Sequence, residues 1–182
     1  MLCSDKEVVQ IAKRYRKNLD ILADKVVKLL LSGNCHIATA ESCTGGLLAE
    51  LITSVSGASE IFELGLCTYS DNMKHLMLGV PENILEKYGA VSSQTAVAMV
   101  RGLKRISKAD ICISVTGIAG PLGGTPQNPV GTVYTAFSCG DKEFSKLLRL
   151  CGDDDRNREI IRLHAALCVF ETVEQLLMEE VQ

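Results

Sequence analysis

Tryptophan is absent, and tyrosine and phenylalanine bring the aromatic content to only 4%. A core left to Leu, Ile, Val and Ala favours helices packed on a sheet over a barrel filled with rings. Positive charge is not in surplus either: the net charge is −3, which gives no electrostatic ground for a nucleic-acid partner. Eight cysteines are present, yet no two are spaced C-x-x-C, so zinc-ribbon and thioredoxin-like readings lose their signature. Several sit in apolar runs, such as Ile111-Cys112-Ile113 and Leu66-Cys67-Thr68, where a reduced thiol behaves as a small hydrophobe. The three histidines (His36, His75 and His164) are scattered, and no metal is expected. No apolar run approaches the length needed to span a bilayer. Met1 to Gln10 carries charges where a signal peptide needs its apolar stretch. The expectation is a protein of the reducing cytoplasm with no membrane partner.

With 182 residues, 47% of them hydrophobic, the chain can bury a continuous core and is expected to form a single domain. Residues 4–32 read as a helix, with Ser4 or Asp5 as cap, Glu7 at capping-box spacing, and Gly33-Asn34 as its left-handed end. His36 to Ala40 is a candidate strand, followed by a polar turn and a helix beginning near Thr44. Phe62 to Ser70 is a second strand. Met73 to Leu78 and Pro81 to Tyr88 are short helices, and Ser92 caps an amphipathic helix to Ile106. Asp110 to Val115 is a β-branched strand running into a glycine loop. Val130–Ser138 and Glu143–Leu150 pair as a hairpin, and a long helix from Arg156 to Val181 closes the chain. Helices alternating with short buried strands imply an α/β fold, a layered α/β/α domain with a central mixed sheet.

The run Ala40-Glu41-Ser42-Cys43-Thr44-Gly45-Gly46 joins a strand to a helix. Such a helix start offers free backbone N–H groups, and glycines let a ligand approach them. The turn can hold a phosphate or serve as an oxyanion hole beside a nucleophilic hydroxyl. Equally, Ser42 can be a plain N-cap with Glu41 adding favourable charge. Cys43 is a rival nucleophile, but no histidine stands near it in sequence as a base. Neither G-x-S-x-G nor a Walker-type loop is present. With histidine scarce, a desolvated lysine is the natural base for a catalytic serine. Thr68 to Lys74 and the loop Thr116 to Pro121 each follow a strand, where α/β folds bind ligands, although both also read as ordinary turns. Arg156, Arg158 and Arg162 open the last helix, where cations oppose the dipole and a bound anion would offset them.

Ala40–Gly46, Tyr69–Lys74, Ser114–Pro121, Pro129–Val133 and Arg158–Ala165 together resemble the CinA C-terminal domain family, over about residues 18–178. Residues 1–17 lie outside the resemblance, as a helical N-terminal extension. The family includes free-standing nicotinamide mononucleotide deamidases. The resemblance implies hydrolysis of the carboxamide of nicotinamide mononucleotide to nicotinate mononucleotide and ammonia. It assigns Ser42 as nucleophile, with Lys74 and Tyr69 handling protons. Thr44, Gly45 and Gly46 would serve the oxyanion, Thr116, Gly117 and Gly120 the nucleotide, and Arg158 its phosphate. No metal or organic cofactor is implied. The partner is a small phosphorylated nucleotide, and a homodimer is expected by analogy. Two departures stand out: Asp71 replaces a common Asn, and Gly152 to Arg158 is longer than the usual turn, which makes Arg156 a competitor of Arg158. A non-catalytic nucleotide-binding module and a serine-lysine amidase for another small amide are the alternatives.

Overall fold

The computed structural model describes residues 5–150 and 158–180. Five strands form one sheet in the order β2-β1-β3-β4-β5. They are β1 (Ile37–Glu41), β2 (Phe62–Cys67), β3 (Ile111–Gly117), β4 (Thr132–Cys139) and β5 (Lys142–Arg149). β1 pairs parallel with both β2 and β3, whereas β3-β4 and β4-β5 are antiparallel. The sheet is therefore mixed, and the carboxyl ends of β1, β2 and β3 lie along one edge. β1 sits between strands reached in opposite directions, so a crevice opens at that edge.

Helices α1 (Asp5–Gly33), α2 (Leu47–Thr53) and α6 (Arg158–Glu180) cover one face. Helices α3 (Asp71–Leu78), α4 (Glu82–Tyr88) and α5 (Ser93–Ser107) cover the other. The result is the three-layer α/β/α arrangement that the alternation of elements implied. The two faces are built from different residues. Ile37, Ile111, Ile113, Val133 and Phe137 meet α1 and α6. On the opposite side the fully buried apolar sheet residues are small (Ala38, Ala40, Cys112 and Ala136), with Leu64, Leu66 and Tyr134 partly buried beside them. Small side chains let α5 lie close to the sheet, and Ser114 Oγ donates to the Ala96 carbonyl at 2.6 Å.

Helix α1 buries Leu19, Ala23, Val26, Val27 and Leu30, one stripe at helical spacing. It ends at Asn34, whose φ is 47°, so Asn34 takes the left-handed conformation that closes a helix. Residues up to 17 continue into this helix without a break. The Ser4 cap lies outside the described residues. Ser92 caps α5 by accepting the Thr95 N–H at 3.2 Å, and Ser70 caps α3 through the Met73 N–H at 3.2 Å. Against α3, helix α5 presents Gly102: a Cβ there would stand 1.9 Å from the Leu78 carbonyl oxygen. Only glycine permits that approach.

Some boundaries differ from expectation. Helix α2 begins at Leu47, not near Thr44, and β2 ends at Cys67, which leaves Thr68, Tyr69 and Ser70 as a turn. Thr116 and Gly117 belong to β3, not to the loop after it. No helix among the described residues is long and apolar enough to cross a membrane.

Candidate active site

The three parallel strands deliver their following residues to one place. Ser42 follows β1, Tyr69 lies two residues beyond β2, and Thr116 and Gly117 end β3. They surround a cavity of about 250 Å³ lined also by Cys43, Asp71, Lys74, Ala90, Val91, Gly120, Leu122 and Arg158.

Lys74 and Leu78 are the buried residues of α3, one turn apart on its inner face. The lysine thus occupies a position that the helix would ordinarily give to an apolar side chain. Its Nζ stands 3.3 Å from Ser42 Oγ and 3.3 Å from the Tyr69 carbonyl oxygen. Lys74 is 1% exposed. Burial pushes its ammonium pKa below the ordinary lysine value, while the Asp71 carboxylate, 3.5 Å away, pulls in the opposite direction. Burial prevails. Burial therefore shifts this lysine towards its free base, and it faces a hydroxyl.

Ser42 is not the N-cap of α2. The carboxylate of Glu41 does that work: Oε2 accepts the Gly46 and Leu48 N–H groups at 3.0 and 3.1 Å, and Oε1 accepts that of Ala49 at 3.0 Å. Bonds from backbone donors to a charged group contribute about 1.5–3 kcal/mol each. They leave Ser42 Oγ at liberty to meet Lys74. Cys43 is buried and its thiol is pushed up to about 12, chiefly by desolvation, with Glu41 adding to the rise. Arg158, Arg162 and a backbone contact within Cys43 act against it. Burial thus works against thiolate formation and weakens Cys43 as a rival nucleophile.

Thr44, Gly45 and Gly46 do not line the cavity. The Gly45 N–H bonds the Ser42 carbonyl at 3.1 Å, closing the turn, and the Gly46 N–H is held by Glu41. Neither glycine amide is therefore available to an oxyanion. Thr44 is fully buried with its hydroxyl unpartnered, and its carbonyl accepts two bonds from Arg162, at 3.0 and 2.6 Å. Among the described residues, no acceptor in another residue takes the N–H of Cys43 or Thr44.

Thr116 is 1% exposed, and its hydroxyl donates to the Ala90 carbonyl at 2.8 Å. It fastens the end of β3 to the loop before α5. Gly117 lines the cavity, but a Cβ there would stand 2.7 Å from the Thr132 carbonyl oxygen, so the β4 backbone alone demands glycine. Tyr69 is brought to the lysine through its carbonyl and not through its ring. The ring is 59% exposed, and its hydroxyl accepts from Arg158 at 2.7 Å. Arg158 also donates to the Gly120 carbonyl at 2.9 Å, so its guanidinium spans the cavity mouth. Arg156 lies outside the described residues. Ala90 and Val91 were not foreseen as lining residues, since small apolar residues in a loop carry no chemical signal.

Among the described residues no cluster of His, Cys, Asp or Glu could hold a metal ion. The machinery in view is a hydroxyl, a buried amine, backbone donors and one cation at the rim.

A family model for the CinA C-terminal domain matches residues 19–177. The chain belongs to that family. A competence-damage inducible protein of Thermoanaerobacter pseudethanolicus is 46% identical over 83% of this chain and 37% of its own length. A CinA-like protein of Thermotoga neapolitana is 42% identical over 91% of this chain and 39% of its own length. The chain thus spans about two fifths of the curated relatives it matches. The crystal structure of the competence/damage inducible protein CihA from Agrobacterium tumefaciens superposes with a TM-score of 0.83 at 36% identity, over 87% of this chain and 95% of that one. A CinA superfamily protein from Escherichia coli gives 0.81 at 29% identity, over 87% and 90%.

Proposed function

We propose that this CinA-family domain is an amidohydrolase that converts nicotinamide mononucleotide and water to nicotinate mononucleotide and ammonia. The observation that carries the reading is the buried Ser42–Lys74 pair, 3.3 Å apart at the carboxyl edge of the sheet. A lysine in its free-base form can take the proton of a serine that attacks a carbonyl carbon.

In this scheme Ser42 Oγ bonds to the carboxamide carbon as its proton passes to Lys74 Nζ. The carbonyl oxygen gains negative charge beside the backbone N–H of Cys43, which lines the cavity. The C–N bond then breaks, and Lys74 returns the proton to the departing nitrogen, which leaves as ammonia. A water molecule, deprotonated by Lys74, attacks the remaining ester. The carboxylate product departs and Ser42 recovers its proton. The Tyr69 carbonyl and Asp71 steady the lysine while it is charged. At the mouth, Arg158 supplies a cation for the substrate phosphate, steadied by Gly120 and by the Tyr69 hydroxyl.

The test uses the purified chain dialysed against a chelator and incubated with nicotinamide mononucleotide. Equal yields of ammonia and nicotinate mononucleotide are expected, and neither should form with Ser42→Ala. A folded sample that binds the nucleotide without releasing ammonia would overturn the reading.

A further inference from the structure

Every backbone donor from Ser42 to Ala49 can be traced. Ser42 N–H bonds the Val115 carbonyl of β3 at 3.0 Å, Gly45 N–H the Ser42 carbonyl, and Leu47 N–H the Thr44 carbonyl at 3.4 Å. Gly46, Leu48 and Ala49 donate to Glu41. Among the described residues, the N–H groups of Cys43 and Thr44 meet no acceptor in another residue. A helix start with open donors is an anion site, yet here its anion is a side chain of the same chain, 1% exposed. Glu41 precedes the serine directly, so its backbone and that of Ser42 move together. Arg162 grips the Thr44 carbonyl from the other side of the turn. The turn is thus anchored from β1, α2 and α6 at once.

We propose that Glu41 is a positioning residue for Ser42. Its carboxylate fills the N-terminus of α2 from within, fixes the 42–46 turn so that Ser42 Oγ meets Lys74, and leaves Cys43, at the cavity wall, as the donor of the turn nearest the serine. It touches neither substrate nor lysine in this role. A carboxylate offers two acceptor oxygens to three donors. A carboxamide offers one and sets its own NH2 against the Ala49 N–H, and a shorter carboxylate keeps the charge but not the reach. This inference rests on Ser42 being the nucleophile, as argued above.

Two readouts on Glu41→Gln, Glu41→Asp and Glu41→Ala test it. One is steady-state turnover of nicotinamide mononucleotide. The other is the rate at which phenylmethylsulfonyl fluoride labels Ser42, followed by mass spectrometry. For Glu41→Gln, kcat should fall about 10–100-fold with KM changed less than about threefold, and Ser42 labelling should slow in parallel. Glu41→Asp should recover part of both losses, and Glu41→Ala should lose most. If Glu41→Gln or Glu41→Asp lowers the melting temperature while kcat and labelling stay at wild-type values, Glu41 is only a helix cap and the inference is overturned. If Ser42 is labelled in the wild type but no ammonia forms, the substrate assignment fails. The labelling series still decides on Glu41.

Discussion

The floor of the cavity and its rim are built on opposite plans. On the floor, Ser42, Lys74 and Cys43 are almost wholly buried, and Glu41 lies behind them. Their positions are set by strand ends, a helix face and backbone bonds. At the rim, Tyr69 is 59% exposed and meets Arg158 through a single side-chain bond. Under the proposed function the difference is one of work. Proton transfer needs a desolvated amine at fixed distance, so it belongs where nothing moves. Capture of a charged substrate from water needs a reachable cation, so it belongs where groups can move.

That division can be broken by mutation. The largest effects should come from the floor. Ser42→Ala is expected to lower kcat about 10⁴-fold or more, and Lys74→Ala about 10²–10⁴-fold, each with little change in KM. An intact kcat in either variant would move the chemistry elsewhere. Arg158→Ala should raise KM about 10–100-fold through loss of charge-assisted bonds while kcat changes little, and the penalty should vanish on a substrate without phosphate. A kcat loss instead would place the arginine on the floor. Asp71→Asn probes the border between the two. The carboxylate holds the Lys74 pKa up against burial, and its removal lets that pKa fall further. In the proposed scheme free-base lysine is the active form, so the acid limb of the kcat/KM profile should move to lower pH. A shift the other way would mean that Lys74 acts as an acid first. The smallest effect is expected for Tyr69→Phe, where one bond to Arg158 is lost and KM rises less than about tenfold.

Much of the architecture was legible in the sequence because hydrophobic spacing and capping residues speak directly about helices and strands. Ser92 and Asn34 mark helix ends by chemistry that the sequence displays, whereas Ser70, read as the end of a strand, caps α3. The turn after β1 was harder. Both faces of β1 are covered, so all five of its residues are buried, and nothing in the pattern separates a buried Glu41 from its apolar neighbours. Its three backbone partners lie five to eight residues away and become visible only in three dimensions. The same blindness made Gly45 and Gly46 look like oxyanion donors, when their amides are already engaged. Ser42 and Lys74 are 32 residues apart; periodicity says nothing of their meeting, and the family resemblance named the two residues without placing them in contact. For Tyr69 the sequence offers a phenol, whereas the fold turns its carbonyl to the lysine.

Gly102 contributes no functional group and lines no part of the cavity, yet it sets how closely the helix carrying Lys74 packs on α5. Helix α3 lies so near α5 that the Leu78 carbonyl fills the space a methyl group would need. Lys74 stands one turn earlier on the same rigid rod. A larger residue at position 102 would act as a shim, tilting that rod and lengthening the reach from amine to serine. Under the proposed function, the reach from amine to serine is to that extent a mechanical tolerance, held on the far side of a helix by an atom that is not there.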